Sequence, residues 1–144
     1  MAEGPVLQVA LDFVNLAQAL RAAEEAVAGG AEWVEAGTPL VKAEGMAAVR
    51  ALRQRFSEAT IVADLKIMDA GRTEVEFAAK AGADVVTVLG VASDETIVEC
   101  VDAGRNYDAL VQVDLIGCGD PVARARRAQE LGAAIVGIHT ALDD

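Results

Sequence analysis

An α/β fold made of repeated strand and helix units around one parallel sheet is predicted by three observations in this 144-residue chain. First, continuously apolar runs, the kind found in strands covered on both faces, each lead to an ionisable side chain: Asp12 after VLQVAL, Glu35 after WV, Asp64 and Lys66 within IVADLK, Asp114 after LVQV, and His139 after IVGI. Second, steps of 23, 29, 50 and 25 residues separate Asp12, Glu35, Asp64, Asp114 and His139, and the longest step holds another apolar run, DVVTVLG at 84–90. Six strand ends thus leave roughly 25 residues per unit, enough for a strand, a helix and a return loop. Third, Gly30-Ala31-Glu32, Gly82-Ala83-Asp84 and Gly132-Ala133-Ala134 echo one another at offsets of 52 and 50, each joining a helix end to a strand.

In chain order, the first strand covers VLQVAL and gives way to a helix over about 15–28. Asn15 followed by Gln18 makes a capping-box start there, and Leu16, Leu20, Ala23 and Val27 form one apolar stripe ended by Gly29-Gly30. A strand near 32–36 leads into GTPLVKAEG, where Thr38-Pro39 reads as a loop element of fixed backbone. A second helix over about 44–55 then buries Met46, Val49, Leu52 and Phe56. The third strand, 60–66, begins with β-branched residues. A third helix over about 72–81 ends at Gly82, and a fourth strand at 84–89 precedes a helix over about 94–104 capped by Ser93. The fifth strand is 109–115. Asp120-Pro121 opens a fifth helix that runs to Leu131 and stops at Gly132, and the sixth strand is 134–139.

A hydrophobic content of 53% and a mean hydropathy of +0.33 supply the core of a single domain over 1–144. The net charge of −11 argues against nucleic acid and anionic membrane surfaces as partners, because phosphates call for clustered Lys and Arg. Arg124, Arg126 and Arg127 read as a solvated helix face. No apolar run approaches the roughly 18–20 residues of a bilayer crossing, and MAEGPV lacks the basic start of a secretory signal. The expectation is a cytoplasmic protein. Cys100 and Cys118, without further ligands at metal-site spacing, read as plain thiols in a reducing compartment. Phe13, Trp33 and Tyr107 are packing residues, too few to form a stacking platform.

A row of charged strand ends suits the mouth of a (β/α)8 TIM barrel, where such ends line one face. That barrel takes about 200–250 residues. The expectation is therefore a barrel to which this chain supplies six strands and five helices, C-terminally incomplete by two βα units, with bare edges on its first and sixth strands. Asp64 and Lys66, two apart on a strand, project to the same side, whereas Asp69 lies beyond that strand on the turn to the next helix and could reach a neighbouring site across a subunit interface.

These residues carry a family resemblance. ADLKIMDAG matches the DxKxxD signature of the orotidine 5′-monophosphate decarboxylase superfamily, and QVALD, EAGTPLVKAEG, DVVTVLG, QVDLIG and GIHT extend the resemblance over nearly all of 6–143. Within the superfamily the chain is similar to the hexulose-phosphate synthase branch, whose members are (β/α)8 barrels that dimerise with active sites at the interface and use Mg²⁺. The resemblance implies Glu35 and Asp64 as magnesium ligands, Asp12 and Lys66 as the substrate-binding and catalytic charge cluster, Asp69 as a catalytic residue donated to the partner's site, and His139 as the proton-transfer residue. It further implies aldol condensation of formaldehyde with D-ribulose 5-phosphate, through an ene-diolate, to D-arabino-3-hexulose 6-phosphate. Two carboxylates are hard oxygen ligands for Mg²⁺, and an imidazole titrates near neutral pH, so the residue types suit that chemistry.

Departures from related patterns narrow the reading. Orotidine decarboxylases carry a lysine where this chain has Glu35, and the sister 3-keto-L-gulonate 6-phosphate decarboxylase typically has an arginine three positions beyond its histidine, where this chain has Leu142. The superfamily's phosphate grip follows strands seven and eight, so no phosphate-binding residue is assigned. That sister decarboxylase and a non-catalytic barrel fragment or interaction module are the alternatives. Asp114 is read equally as a functional group or as a neutraliser of a neighbour.

Overall fold

The structure, a computed structural model, describes residues 4–143. Six strands alternate with helices: β1 (Gln8–Leu11), α1 (Leu16–Ala28), β2 (Trp33–Ala36), α2 (Thr38–Glu44), α3 (Met46–Arg55), β3 (Thr60–Ile67), α4 (Gly71–Ala81), β4 (Val85–Leu89), α5 (Asp94–Tyr107), β5 (Leu110–Asp114), α6 (Pro121–Glu130) and β6 (Ile135–Gly137). All strands run parallel in the order β1-β2-β3-β4-β5-β6. A strictly sequential order is that of a barrel wall rather than of a doubly wound sheet, whose order reverses at a switch point. The wall curls, because residues carried by β1 and residues just beyond β6 line one cavity.

Six helices are present among the described residues, where five were expected. GTPLVKAEG is not a loop: Thr38–Glu44 is helical, with Pro39 in the first turn, where its missing N–H costs nothing, and Leu40 fully buried. Seven residues give too short an apolar stripe to read from periodicity. Gly45, at φ +62°, turns the chain between α2 and α3. The other starts follow their caps, with Asn15, Ser93 and Asp120 accepting the backbone N–H of Gln18, Thr96 and Ala123. Glu44 at the end of α2 takes the Leu16 N–H of α1.

The outward side chains of the sheet, among them Val34, Ile61, Ala63, Val86, Val88 and Val113, are buried against the helices in the main core. The inward ones form the barrel interior. At the N-terminal end of the sheet Arg53 gathers three chain segments. It donates to Gly82 O, Ser57 O and Ala59 O, each at 3.0 Å, and pairs with Asp84, whose carboxylate accepts the Ile61 N–H at 2.7 Å. Among the described residues no helix is long and apolar enough to cross a membrane.

Candidate active site

At the C-terminal end of the sheet lies a cavity of about 490 Å³, lined by Asp12, Glu35, Asp64, Lys66, Asp114 and His139 among others. The ionisable groups do not all sit where their strands end. Glu35 is the third of four residues in β2, flanked in register by Ala10 and Val62, and Asp64 and Lys66 lie inside β3. Alternation of the pleat brings them to the inner face.

Asp64 is the most heavily bonded member. Thr38 Oγ1 donates to its Oδ2 and Thr87 Oγ1 to its Oδ1, both at 2.7 Å, and Lys66 Nζ pairs with Oδ2. Burial works to raise the pKa of Asp64, but the hydrogen bonds from Lys66, Thr38 and Thr87 outweigh it and hold the carboxyl below its ordinary range. Lys66 also reaches Thr38 Oγ1 at 3.1 Å and Asp114 Oδ2 at 3.5 Å. Burial opposes its charge, yet its bond to Asp64 and the charges of Asp64, Asp114 and Glu35 raise its pKa, so it stays an ammonium.

Glu35 stands in the opposite condition. Its pKa is pushed up to about 7, first by burial and then by the negative charges of Asp64 and Asp12, with the Gln8 amide bonded to its Oε2 only partly compensating. Asp12 is held close to the β2 exit by Gly37, where any Cβ would fall 2.1 Å from Asp12 Oδ1.

His139 Nδ1 lies 2.8 Å from Asp114 Oδ2, while Asp114 Oδ1 accepts the Ile116 N–H at 2.9 Å. With Nδ1 tied to a carboxylate, the neutral ring keeps its proton there and leaves Nε2 as the nitrogen for proton exchange. Asp69 is not in this cavity. It is exposed and borders a separate hollow with Arg72, Glu95 and Glu99. Thus Asp12, Glu35, Asp64, Lys66 and His139 come together and Asp69 stands apart.

Four members were not singled out from the sequence or were left open: Gln8, Thr38 and Thr87 support the carboxylates, and Asp114 orients His139. A signal existed for two of them. Gln8 and Thr87 are polar residues inside otherwise apolar runs, LQVAL and VVTVL, where an inward-facing polar group needs a partner.

The donor set suits a hard divalent cation. Half-buried Glu35 and buried Asp64 carry like charge that a cation would relieve, and Mg²⁺ characteristically takes one or two carboxylates with waters and substrate oxygens filling the rest. Among the described residues there is no group of three or more His, Cys, Asp or Glu side chains that could hold an ion. Of the thiols, Cys100 is buried with its pKa pushed up to about 12 by burial, and Cys118 is half-buried; neither is in the cavity.

Comparison with known proteins agrees with this geometry. The model of the orotidine 5′-phosphate decarboxylase / HUMPS family matches residues 5–144. The chain is 44% identical over 138 residues to 3-hexulose-6-phosphate synthase of Mycobacterium gastri, covering 96% of this chain and 66% of that protein. A crystal structure of a 3-hexulose-6-phosphate synthase superposes with a TM-score of 0.94 at 44% identity, over 96% of this chain and 67% of that one. The 3-keto-L-gulonate-6-phosphate decarboxylase of Vibrio cholerae is more distant, with a TM-score of 0.86 at 33% identity over 92% of this chain and 61% of the other. The chain spans 65% to 66% of the length of the first curated relatives. With matched sequence, sequential barrel topology and a shared fold, the chain belongs to the orotidine 5′-phosphate decarboxylase / HUMPS family.

Proposed function

We propose that this chain carries the metal and proton-transfer half of a 3-hexulose-6-phosphate synthase, condensing formaldehyde with D-ribulose 5-phosphate. The observation that carries the reading is the convergence of Glu35, Asp64, Lys66 and the His139–Asp114 pair on one cavity, in a chain 44% identical to a protein of that name. Glu35 and Asp64 would hold Mg²⁺, which supplies positive charge beside the oxygens where negative charge develops. The Lys66 ammonium, with Asp12 across the cavity, binds and orients the hydroxyl-ketone end of the sugar. His139 Nε2 takes the proton from the carbon next to the ketone, leaving its electron pair in an ene-diolate. That carbon attacks formaldehyde, a carbon–carbon bond forms, and the former aldehyde oxygen receives the proton. Asp114 keeps the imidazole in the tautomer that can do this.

Asp69, remote from its own cavity, fits a role in the site of a second subunit, so the working form is a homodimer, placed in the cytoplasm. The sister decarboxylation is the rival reading. Leu142, which lines the cavity, occupies the position where that enzyme typically has an arginine, and this favours condensation.

The test is formaldehyde consumption with D-ribulose 5-phosphate, run beside carbon dioxide release from 3-keto-L-gulonate 6-phosphate. Consumption should dominate, vanish in excess chelator and return with Mg²⁺. Lys66→Ala should lack it while keeping its circular dichroism. Undiminished turnover in chelator would sink the metal assignment, and activity on neither substrate would leave a non-catalytic module.

A further inference from the structure

Strand β3 leaves the regular ladder at the site. Ala63 pairs with Val86 and Ile67 with Val88, so Asp64, Leu65 and Lys66 all stand opposite Thr87. Lys66 in this bulge has φ +48°, a left-handed backbone that a residue with a long side chain rarely adopts. Such a conformation persists only where its surroundings hold it. Here one oxygen does much of the holding. Thr87 Oγ1 accepts the Lys66 backbone N–H at 3.0 Å and donates to Asp64 Oδ1 at 2.7 Å.

Thr87 is 2% exposed, between Val86 and Val88 of β4. Acting as donor and acceptor at once, it bonds both residues of the bulge that enter the cavity. Closing the bulge into regular pairing would move Lys66 along the strand and pull its ammonium away from Thr38 Oγ1 and Asp114 Oδ2, now 3.1 and 3.5 Å from it.

We infer that Thr87 is a positioning residue whose hydroxyl keeps the β3 bulge open and thereby sets the Lys66 ammonium and the Asp64 carboxylate in the cavity. The activity and Mn²⁺ readouts of this inference rest on the proposed function; its amide-exchange readout does not. A role in packing alone would be served equally by valine, which has the same shape and no hydroxyl.

Thr87→Val and Thr87→Ser separate these cases. In metal-free protein, exchange of the Lys66 amide followed by NMR should quicken about tenfold or more in T87V, because the acceptor is gone, while the amides of β1 and β2 keep their rates. Affinity for Mn²⁺, read by calorimetry, should fall about tenfold, and kcat by about 10²-fold with a smaller change in KM. T87S, which restores the hydroxyl, should match the parent in all three. Retained Lys66 protection and Mn²⁺ affinity in T87V would overturn the inference, as would a T87S protein as impaired as T87V. Should T87V fail to fold, T87S decides alone: parental exchange and Mn²⁺ affinity support the hydroxyl, and their loss refutes it. A parent without aldolase activity would remove the proposed function but leave the exchange result standing.

Discussion

The two ends of the sheet use the same side-chain chemistry to opposite effect. At the N-terminal end one arginine meets one aspartate: Arg53 spends its donors on four carbonyls and Asp84, and Asp84 receives a backbone N–H as well. At the C-terminal end five carboxylates, Asp12, Glu35, Asp64, Asp114 and Asp143, share a cavity with one lysine and one histidine. Burial first, and then the negative charges of Asp64 and Asp12, push the Glu35 pKa up to about 7. Charge balanced at the base ties segments of chain together, whereas charge left unbalanced at the mouth is a standing demand for a cation, a proton or a substrate.

That contrast breaks most sharply under exchange of single residues. His139→Ala should cut turnover by about 10²–10⁴-fold while leaving the urea midpoint nearly unchanged, since the side chain is 39% exposed. Arg53→Ala should do the reverse, lowering stability by about 2 kcal/mol through lost charge-assisted hydrogen bonds with turnover within about twofold of the parent. Paired unfolding curves and kinetics on the two variants check this. An Arg53→Ala protein that is stable but inactive would erase the distinction between the ends.

A second prediction concerns the unbalanced charge itself. The pKa of Glu35 rises from the ordinary 4.5 to about 7 in the folded protein. Between those values the folded state holds a proton that the unfolded chain has released. The stability tied to this group is therefore complete below about pH 4.5 and declines as pH climbs through 7, by about 3 kcal/mol in all. Glu35→Gln removes the decline. In chelator, the variant should be more stable than the parent by about 3 kcal/mol at pH 8 and by under about 1 kcal/mol at pH 5, measured by urea unfolding. Excess Mg²⁺ should erase the variant's advantage at pH 8 by stabilising the parent. Equal pH profiles in chelator would mean that Glu35 is not charge-stressed.

The smallest expected effect tests whether the mouth is completed from outside. Mixing inactive Asp69→Ala and Lys66→Ala proteins should restore a minor fraction of parental activity if Asp69 serves the other subunit, because one hybrid site regains a full set of groups. No recovery, with subunit exchange verified by mass spectrometry, would assign Asp69 to its own chain or to no site.

Much of this was legible beforehand because it is local. Parallel strands covered on both faces read as apolar runs, and the caps at Asn15, Ser93 and Asp120 announce their helices within three residues. The helix over Thr38–Glu44 escaped notice because two turns with one fully buried leucine carry too little periodicity. Of the site, the charged residues were visible since charge in an apolar run is conspicuous, while the groups that manage them were not. Thr38 read as a loop element, and Thr87 was not singled out within its apolar run.

Sequence alone determined the strand and helix alternation and the sequential parallel order it entails, and it pointed to Asp12, Glu35, Asp64, Lys66 and His139 as strand-end charges, because spacing and apolar patterning act residue by residue along the chain. Tertiary structure decided which atoms meet. The bulge opposite Thr87, the two hydroxyls on Asp64, the Asp114 hold on His139 and the protonation of Glu35 near pH 7 all join residues more than 20 positions apart. Their energies depend on burial and on distances of a few ångströms, quantities that come into being only once the strands lie side by side.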